Sequence, residues 1–289
     1  MNFVNTHRQA LSIFFSLLVL VGSSFLLTDH AQAQRVRGKS VISPTNYASL
    51  VDPLIGTGQQ ALAFHGGDTF PGADVPFGMV QWSPDTTSNP DGGYNYSDNT
   101  IKGFSLTHVS GAGCNAYGDI PFMPYVGNVS TSPASSASTY TSTFSHANEA
   151  ASAGYYQVKL DNGVNTQLTV TQHSGAGSFT YPSGQTATML VNTSGSADGV
   201  SNAQVNVGSD TISGSASSGS FCGASDTYTI YFWAQFSQAF ATSGTWSGST
   251  VTAGNTSASG SGSGAFVTFD TSSTTVIGVR VGVSFVSVA

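Results

Sequence analysis

The stretch YTIYFWAQF, Tyr228 to Phe236, decides the fold class. Its Tyr, Thr, Ile, Phe and Trp side chains favour a pleated backbone. Apolar residues fall on both sides of its alternation, so it is expected to be a central strand buried on both faces. Runs of the same kind recur outward from it: YYQVKL from Tyr155, TQLTVTQ from Thr166, TATMLVN from Thr186, AQVNVG from Ala203, AFVTFD from Ala265 and TVIGVRVGVSFVSV from Thr275. In TQLTVTQ, Gln167, Thr169 and Thr171 alternate with Leu168 and Val170, the period-two pattern of a strand with one wet face. Gly, Ser and Asn between the runs supply the turns. No stretch sustains apolar residues at helical spacing, so the expected fold is all-β, an antiparallel sandwich with few or no helices. Three Ser/Thr-rich patches, Val129 to Ser142, Thr193 to Asn202 and Thr242 to Ser263, read as polar edge strands and long loops within one fold.

The chain has 289 residues, of which only 7% are charged, and a net charge of −7. No basic cluster exists, which argues against nucleic acid and anionic membrane surfaces as partners. Arg8, the apolar run Ala10 to Leu27 and the small residues Ala31 and Ala33 read as a cleaved secretory leader. The expected organisation is a signal peptide at 1–33, a leader at 34–46 and one β-domain at 47–289, secreted or periplasmic and free of the membrane after cleavage. Cys114 and Cys222 are the only cysteines. In an oxidising compartment they invite one disulfide, while their Gly-rich apolar surroundings suit free buried thiols equally.

Val51 to Pro124 differs in character, with seven of the 14 acidic residues and seven of the 10 prolines. Here the backbone is shaped residue by residue, and binding residues tend to lie on such loops. Three phrases stand in order at and within it: YASLVDPLIGTG from Tyr47, DTFPGADVPFGMVQWSPDT from Asp68 and GFSLTHVSGAGCNAYGDIPFMP from Gly103. Further phrases follow, among them GGYNYSDNTIKGFS from Gly92, STFSHANEAASAGYYQVKL from Ser142 and VRVGVSFVSVA from Val279. Together they resemble the opening of the family 92 glycoside hydrolases, secreted exo-acting α-mannosidases. The resemblance implies an N-terminal β-sandwich of the galactose-mutarotase-like type followed by a helical (α/α) toroid domain, calcium dependence, and inversion at the anomeric carbon. It also implies that the catalytic acid, the base and most calcium ligands come from the helical domain, while sandwich loops help to close a pocket for a mannose-containing glycan. By this resemblance the chain ends with the sandwich, without the helical half.

Inverting hydrolysis needs a protonated and an ionised carboxyl roughly 6.5–9.5 Å apart. The sequence has one glutamate, Glu149, and its aspartates mostly sit beside Gly, Pro, Ser, Thr or Asn. Asp85 and Asp91 in particular read as turn caps. No catalytic pair, and no complete calcium or other metal site, is therefore expected within this chain. The candidate sugar contacts are Trp82, the favoured ring, with Phe70 and Tyr94 as further rings and His108 and Asp68 as polar partners. His65 and Asp119 are weaker candidates, and Phe77 and Phe104 read as core. Gly66, Gly67, Gly72 and Gly78 with Pro71, Pro76 and Pro84 make the loop stiff. The expected function is the sandwich half of a mannosidase. A carbohydrate-binding module standing alone, or a scaffold whose loops dock another domain, are the alternatives, and an exposed apolar patch beside Asp68 to Asp119 would favour the last.

Overall fold

The computed structural model describes residues 46–58, 67–88 and 91–288. The expected signal peptide and all but Asn46 of the leader lie outside them, as does His65. The described chain from Tyr47 onward is one compact unit. Its strands, in chain order, are β1 (Ser83–Thr86), β2 (Thr100–Ser105), β3 (Phe122–Val126), β4 (Ser142–Ser152), β5 (Tyr155–Leu160), β6 (Asn165–Val170), β7 (Ser174–Thr180) and β8 (Ala187–Val191). There follow β9 (Asn202–Val207), β10 (Thr211–Gly219), β11 (Thr227–Phe236), β12 (Thr242–Ser247), β13 (Thr250–Ala253), β14 (Ser257–Ser259), β15 (Ser263–Phe269) and β16 (Val276–Ser284). The only helices among the described residues are short 3₁₀ turns, such as Tyr47–Leu50. None is long and apolar enough to cross a membrane. The fold is all-β.

Hydrogen bonding is continuous in the order β13-β12-β15-β8-β3-β2-β4-β5-β6-β7-β16-β11-β10-β9-β14, with β1 on β2. Long strand β4 turns the corner. Its start pairs with β2, its end pairs with β5, and the register shifts between Phe144 and Glu149. The sheet thereby folds into two leaves that bury their facing side chains, the geometry of a sandwich. Rings meet across the interior: Phe122 of β3 with Phe232 of β11 at 6.3 Å, Phe104 of β2 with Tyr156 of β5 at 6.4 Å, and Phe236 of β11 with Phe269 of β15 at 5.5 Å. The patch Thr242 to Ser263 supplies β13 and β14, the edges at the two ends of the order. Short polar edges of this kind resist pairing with other chains.

Two readings need correction. YTIYFWAQF is central, between β10 and β16, but only one of its faces is buried. Ile230, Phe232, Ala234 and Phe236 point inward, while Trp233 and Gln235 are exposed and Tyr231 is half-buried. No described residue buries Trp233 or Gln235 on the second face, so its aromatic character serves no core among the described residues. Phe77, expected inside, is fully exposed. It sits at a positive φ of 61° in the turn closed by Gly78 N donating to Val75 O, which swings the ring out of the sheet.

Trp82 shows how the two leaves are fitted. Its indole is fully buried, lies edge-on to Phe122 and Phe179, and donates through Nε1 to the Phe104 carbonyl at 3.1 Å. The inward side of β7 opposite it is glycine. A Cβ on Gly175 would come within 2.8 Å of the indole, and one on Gly177 within 2.9 Å. Those two glycines are the slot that holds the ring.

Candidate functional site

The described loops of Val51 to Pro124, outside β1, β2 and β3, make up the loop end of the fold and are held by close backbone crossings. At Gly72 a Cβ would collide with Ser83, whose hydroxyl accepts from the Gly72 N–H at 3.1 Å. At Gly92 it would strike the Asp68 carbonyl, which also accepts from Gly111 N. Asp68 itself takes a left-handed φ of 47°.

Behind this surface lie three buried carboxylates, each tied into internal hydrogen bonds. Asp85 accepts from the Ser105 N–H and from the Ser105 hydroxyl, and faces Nε2 of His108 at 3.1 Å. The other ring nitrogen of His108 donates to the Gln81 carbonyl at 2.8 Å, so the imidazole is held between two acceptors. Glu149, the chain's one glutamate, accepts from Tyr94 at 2.9 Å, from Tyr156 at 2.7 Å and pairs with His146 Nδ1 at 2.7 Å. Burial first, and then the Glu149 charge, hold both phenols far above their usual range, so they stay O–H donors. Asp119 accepts from Thr107 at 2.8 Å and Tyr228 at 2.9 Å, while its Oδ1 has no partner among the described residues.

Burial raises the Asp119 carboxyl above its ordinary 3.8, against the lowering by the Thr107 and Tyr228 hydroxyls. The folded chain therefore keeps this proton where the unfolded chain has lost it. The stability it contributes is complete below about pH 3.9 and is lost as pH rises through the folded value. Asp119→Asn removes the ionisation and should flatten the pH dependence of stability above pH 4, matching or exceeding wild type at pH 7. Denaturant midpoints across pH 3–8 check this, and an Asn variant that is weaker at pH 7 with an unchanged slope would contradict it.

The open feature of this end is a hollow of about 360 Å³ lined by Val51, Ile55, Thr69, Phe70, Asp74 and Ser110, among others. Burial raises the Asp74 carboxyl, ahead of lowering by the Val75 N–H and by His108. Its Oδ1 is buried and without a hydrogen-bond partner among the described residues. Val51 and Ile55 in its lining are large exposed apolar side chains, and so are Leu50 and Phe77, which adjoin lining residues in the chain, and Tyr47.

Of the residues singled out in the sequence, Phe70 lines this hollow and its ring packs on His108 at 5.0 Å. His108 and Tyr94 stand behind the surface, nearly fully buried and tied to Asp85 and Glu149. Asp68 is partly exposed. Trp82 belongs to the core and not to the rim, because the glycines of β7 open a slot for it. Asp74, which sequence reasoning passed over, is one of two acids lining the hollow, the other being Asp52, which accepts from the Leu54 N–H. In GAD it looks like any loop aspartate, and its unpartnered oxygen arises only from tertiary packing. The cysteines form a disulfide between Cys114 and Cys222, with Cys222 exposed, so the alternative of free buried thiols does not hold. Among the described residues no three His, Cys, Asp or Glu side chains come together to hold a metal.

Residues 50–284 match the family described as glycosyl hydrolase family 92 N-terminal domain. Among solved structures the chain is similar to a family GH92 α-mannosidase from Bacteroides thetaiotaomicron, with 30% identity and a TM-score of 0.74, covering 83% of this chain and 34% of that one. That enzyme is also known in complex with mannoimidazole, and this form matches with the same TM-score of 0.74. A family GH92 inverting mannosidase of the same organism matches at 28% identity and TM-score 0.72, over 83% of this chain and 32% of that one. An uncharacterized secreted glycosidase of Arthroderma benhamiae is 28% identical over 172 residues, 56% of this chain and 22% of the relative. The chain thus spans about a third of the solved relatives and about a fifth of the fungal one. The family match runs through both leaves and the loop end alike, and the chain belongs to the glycosyl hydrolase family 92 as its N-terminal domain.

Proposed function

We propose that this sandwich is the N-terminal part of a secreted α-mannosidase acting on mannose-terminated glycans, and that its loop-end hollow is one wall of the mannose cleft. The observation that carries the reading is an unfinished surface: a buried Asp74 oxygen without a hydrogen-bond partner among the described residues, beside exposed apolar side chains. Buried polar atoms are nearly always paired, and apolar patches of this kind mark interfaces. The polypeptide that makes up the other two thirds of the solved relatives is the occupant proposed for the rim.

In this reading Phe70, Asp68 and Asp74 are the sugar-side residues, and His108 and Tyr94 hold the wall in place. The acid and base come from outside this chain, because Asp85, Asp119 and Glu149 are committed to internal hydrogen bonds. Calcium, which the family resemblance implies, would take its ligands from outside the described residues as well. The disulfide and the leader-like N-terminus support export.

The rim is tested by replacing Leu50, Ile55 and Phe77 together with Ser. The thermal midpoint should hold, each change costing under about 0.5 kcal/mol, while binding of an apolar fluorescent dye should largely disappear. A clear fall in midpoint would make these side chains part of the fold and end the interface reading. The same rim also favours a second reading, a loop end that docks protein and touches no sugar. Hydrogen exchange with α-mannobiose separates the two, since slowed amides at Phe70 and Asp74 belong to the cleft reading alone.

A further inference from the structure

The uncovered face of β11 carries a second feature. Trp233 is 42% exposed, and its neighbours in register are small: Ser213 on β10, Gly282 on β16 and, beyond that, Ser174 on β7. Its indole has no ring or hydrogen-bond partner among the described residues, so a flat apolar face is left open beside hydroxyls. Three hollows run past it. One of about 410 Å³ lies between Trp233, Arg280, Thr169 and Ala176. The next, about 560 Å³, shares Arg280 and Ala176 and adds Asp210, Gln235 and Gly278. The third, about 290 Å³, shares Trp233 and Gly282 and adds Tyr231 and Ser284.

Together they form one trough along β16 from Gly278 to Ser284, about 20 Å at the usual rise per residue. The Arg280 guanidinium makes no hydrogen bond or ion pair with a described residue. Asp210 accepts from Gln235 Nε2 at 3.4 Å, and Thr169 is exposed at the side of the trough, in register through Ala176 with Arg280.

The chemistry selects the occupant. A protein partner would call for an apolar centre, and here the lining valines and phenylalanines are buried apart from Val288 at one end, so the accessible surface is two rings among Gly, Ala, Ser and Thr. Nucleic acid would call for many cations, and the trough has one, offset by Asp210, in a chain of net charge −7. An aromatic face with guanidinium, carboxylate, amide and hydroxyl groups on either side fits a row of pyranose rings, apolar on one face and hydroxylated at the edge. We propose that this trough binds a linear neutral oligosaccharide, Trp233 stacking on one ring while Arg280 and Asp210 hold hydroxyls of the rings beyond it. The trough shares no lining residue with the loop-end hollow, so it goes beyond the cleft reading and can fail without it.

Trp82 and Trp246 are buried, which makes Trp233 the indole that ligand can reach and tryptophan fluorescence its reporter. The 289-residue chain is titrated with linear α-mannohexaose and with cellohexaose. A saturable change with a dissociation constant of about 0.1–1 mM is expected for at least one of them. Trp233→Ala should abolish binding as read by calorimetry, and Arg280→Ala should weaken it by about tenfold, both at an unchanged thermal midpoint. The proposal is overturned if neither sugar binds. It is overturned equally if binding survives Trp233→Ala; loss on Phe70→Ala instead would assign that binding to the loop end. A dimer that Trp233→Ala converts to monomer, with no sugar effect, would assign the face to a second copy of the chain.

Discussion

Trp82→Ala should lower the unfolding free energy by about 3–5 kcal/mol. The ring is fully buried, and the two glycines that shape its slot offer no side chain to fill the space it would leave. Domains of this kind have only about 5–15 kcal/mol in total, so the variant should unfold at a far lower denaturant concentration and yield poorly. Gly177→Val approaches the same contact from the other side. Its new Cβ would sit 2.8 Å from the Phe179 ring and 2.9 Å from the indole, and overpacking of this kind costs about 1–3 kcal/mol. Chemical denaturation of both variants measures the effect. A Trp82→Ala midpoint close to wild type would mean that the ring is not a core element after all.

Reducing the disulfide should cost about as much. Cys114 and Cys222 lie 108 residues apart, and in the chain-entropy account closing a loop of about 100 residues stabilises by about 4.7 kcal/mol. The bond ties the loop ahead of Asp119 to the turn between β10 and β11, and the exposed Cys222 leaves it open to a reductant. A double variant, Cys114→Ser with Cys222→Ser, avoids stray thiols and should show the same loss under oxidising conditions. Equal denaturant midpoints with and without reductant would contradict the prediction.

Much of the fold could be read directly, for a physical reason. YYQVKL and TQLTVTQ announce strands because β-branched and apolar residues alternate on a pleat, and the structure places β5 and β6 on them. Strand β10, TISGSASSG, announces nothing. Its inward positions are Ile212, Gly214, Ala216 and Ser218, and a Cβ on Gly214 would press on Gln204 O and the Phe232 ring. Its neighbours require it to be small, so the usual strand residues are absent. Trp82 was misleading for a related reason. A ring beside Pro84 in a loop-rich phrase looks like rim, and its burial is decided by glycines on β7, far along the chain. The outward Trp233 was hidden by a run in which the inward and outward residues are equally aromatic. At the loop end, the sequence pointed to the segment that supplies most of the hollow's lining, Phe70 included, but Asp74 is recognisable only when its unpartnered oxygen is seen beside exposed Ile55 and Val51.

The loop end as one wall of a cleft, with the hydrolytic carboxyls supplied by other polypeptide, is tested most directly by a turnover assay. The purified 289-residue chain is incubated with α-linked mannobiose and calcium, and released mannose is followed by chromatography. The account predicts no mannose above the rate without protein. Sustained release that disappears in Asp74→Asn would place the reacting acid inside this sandwich and contradict it.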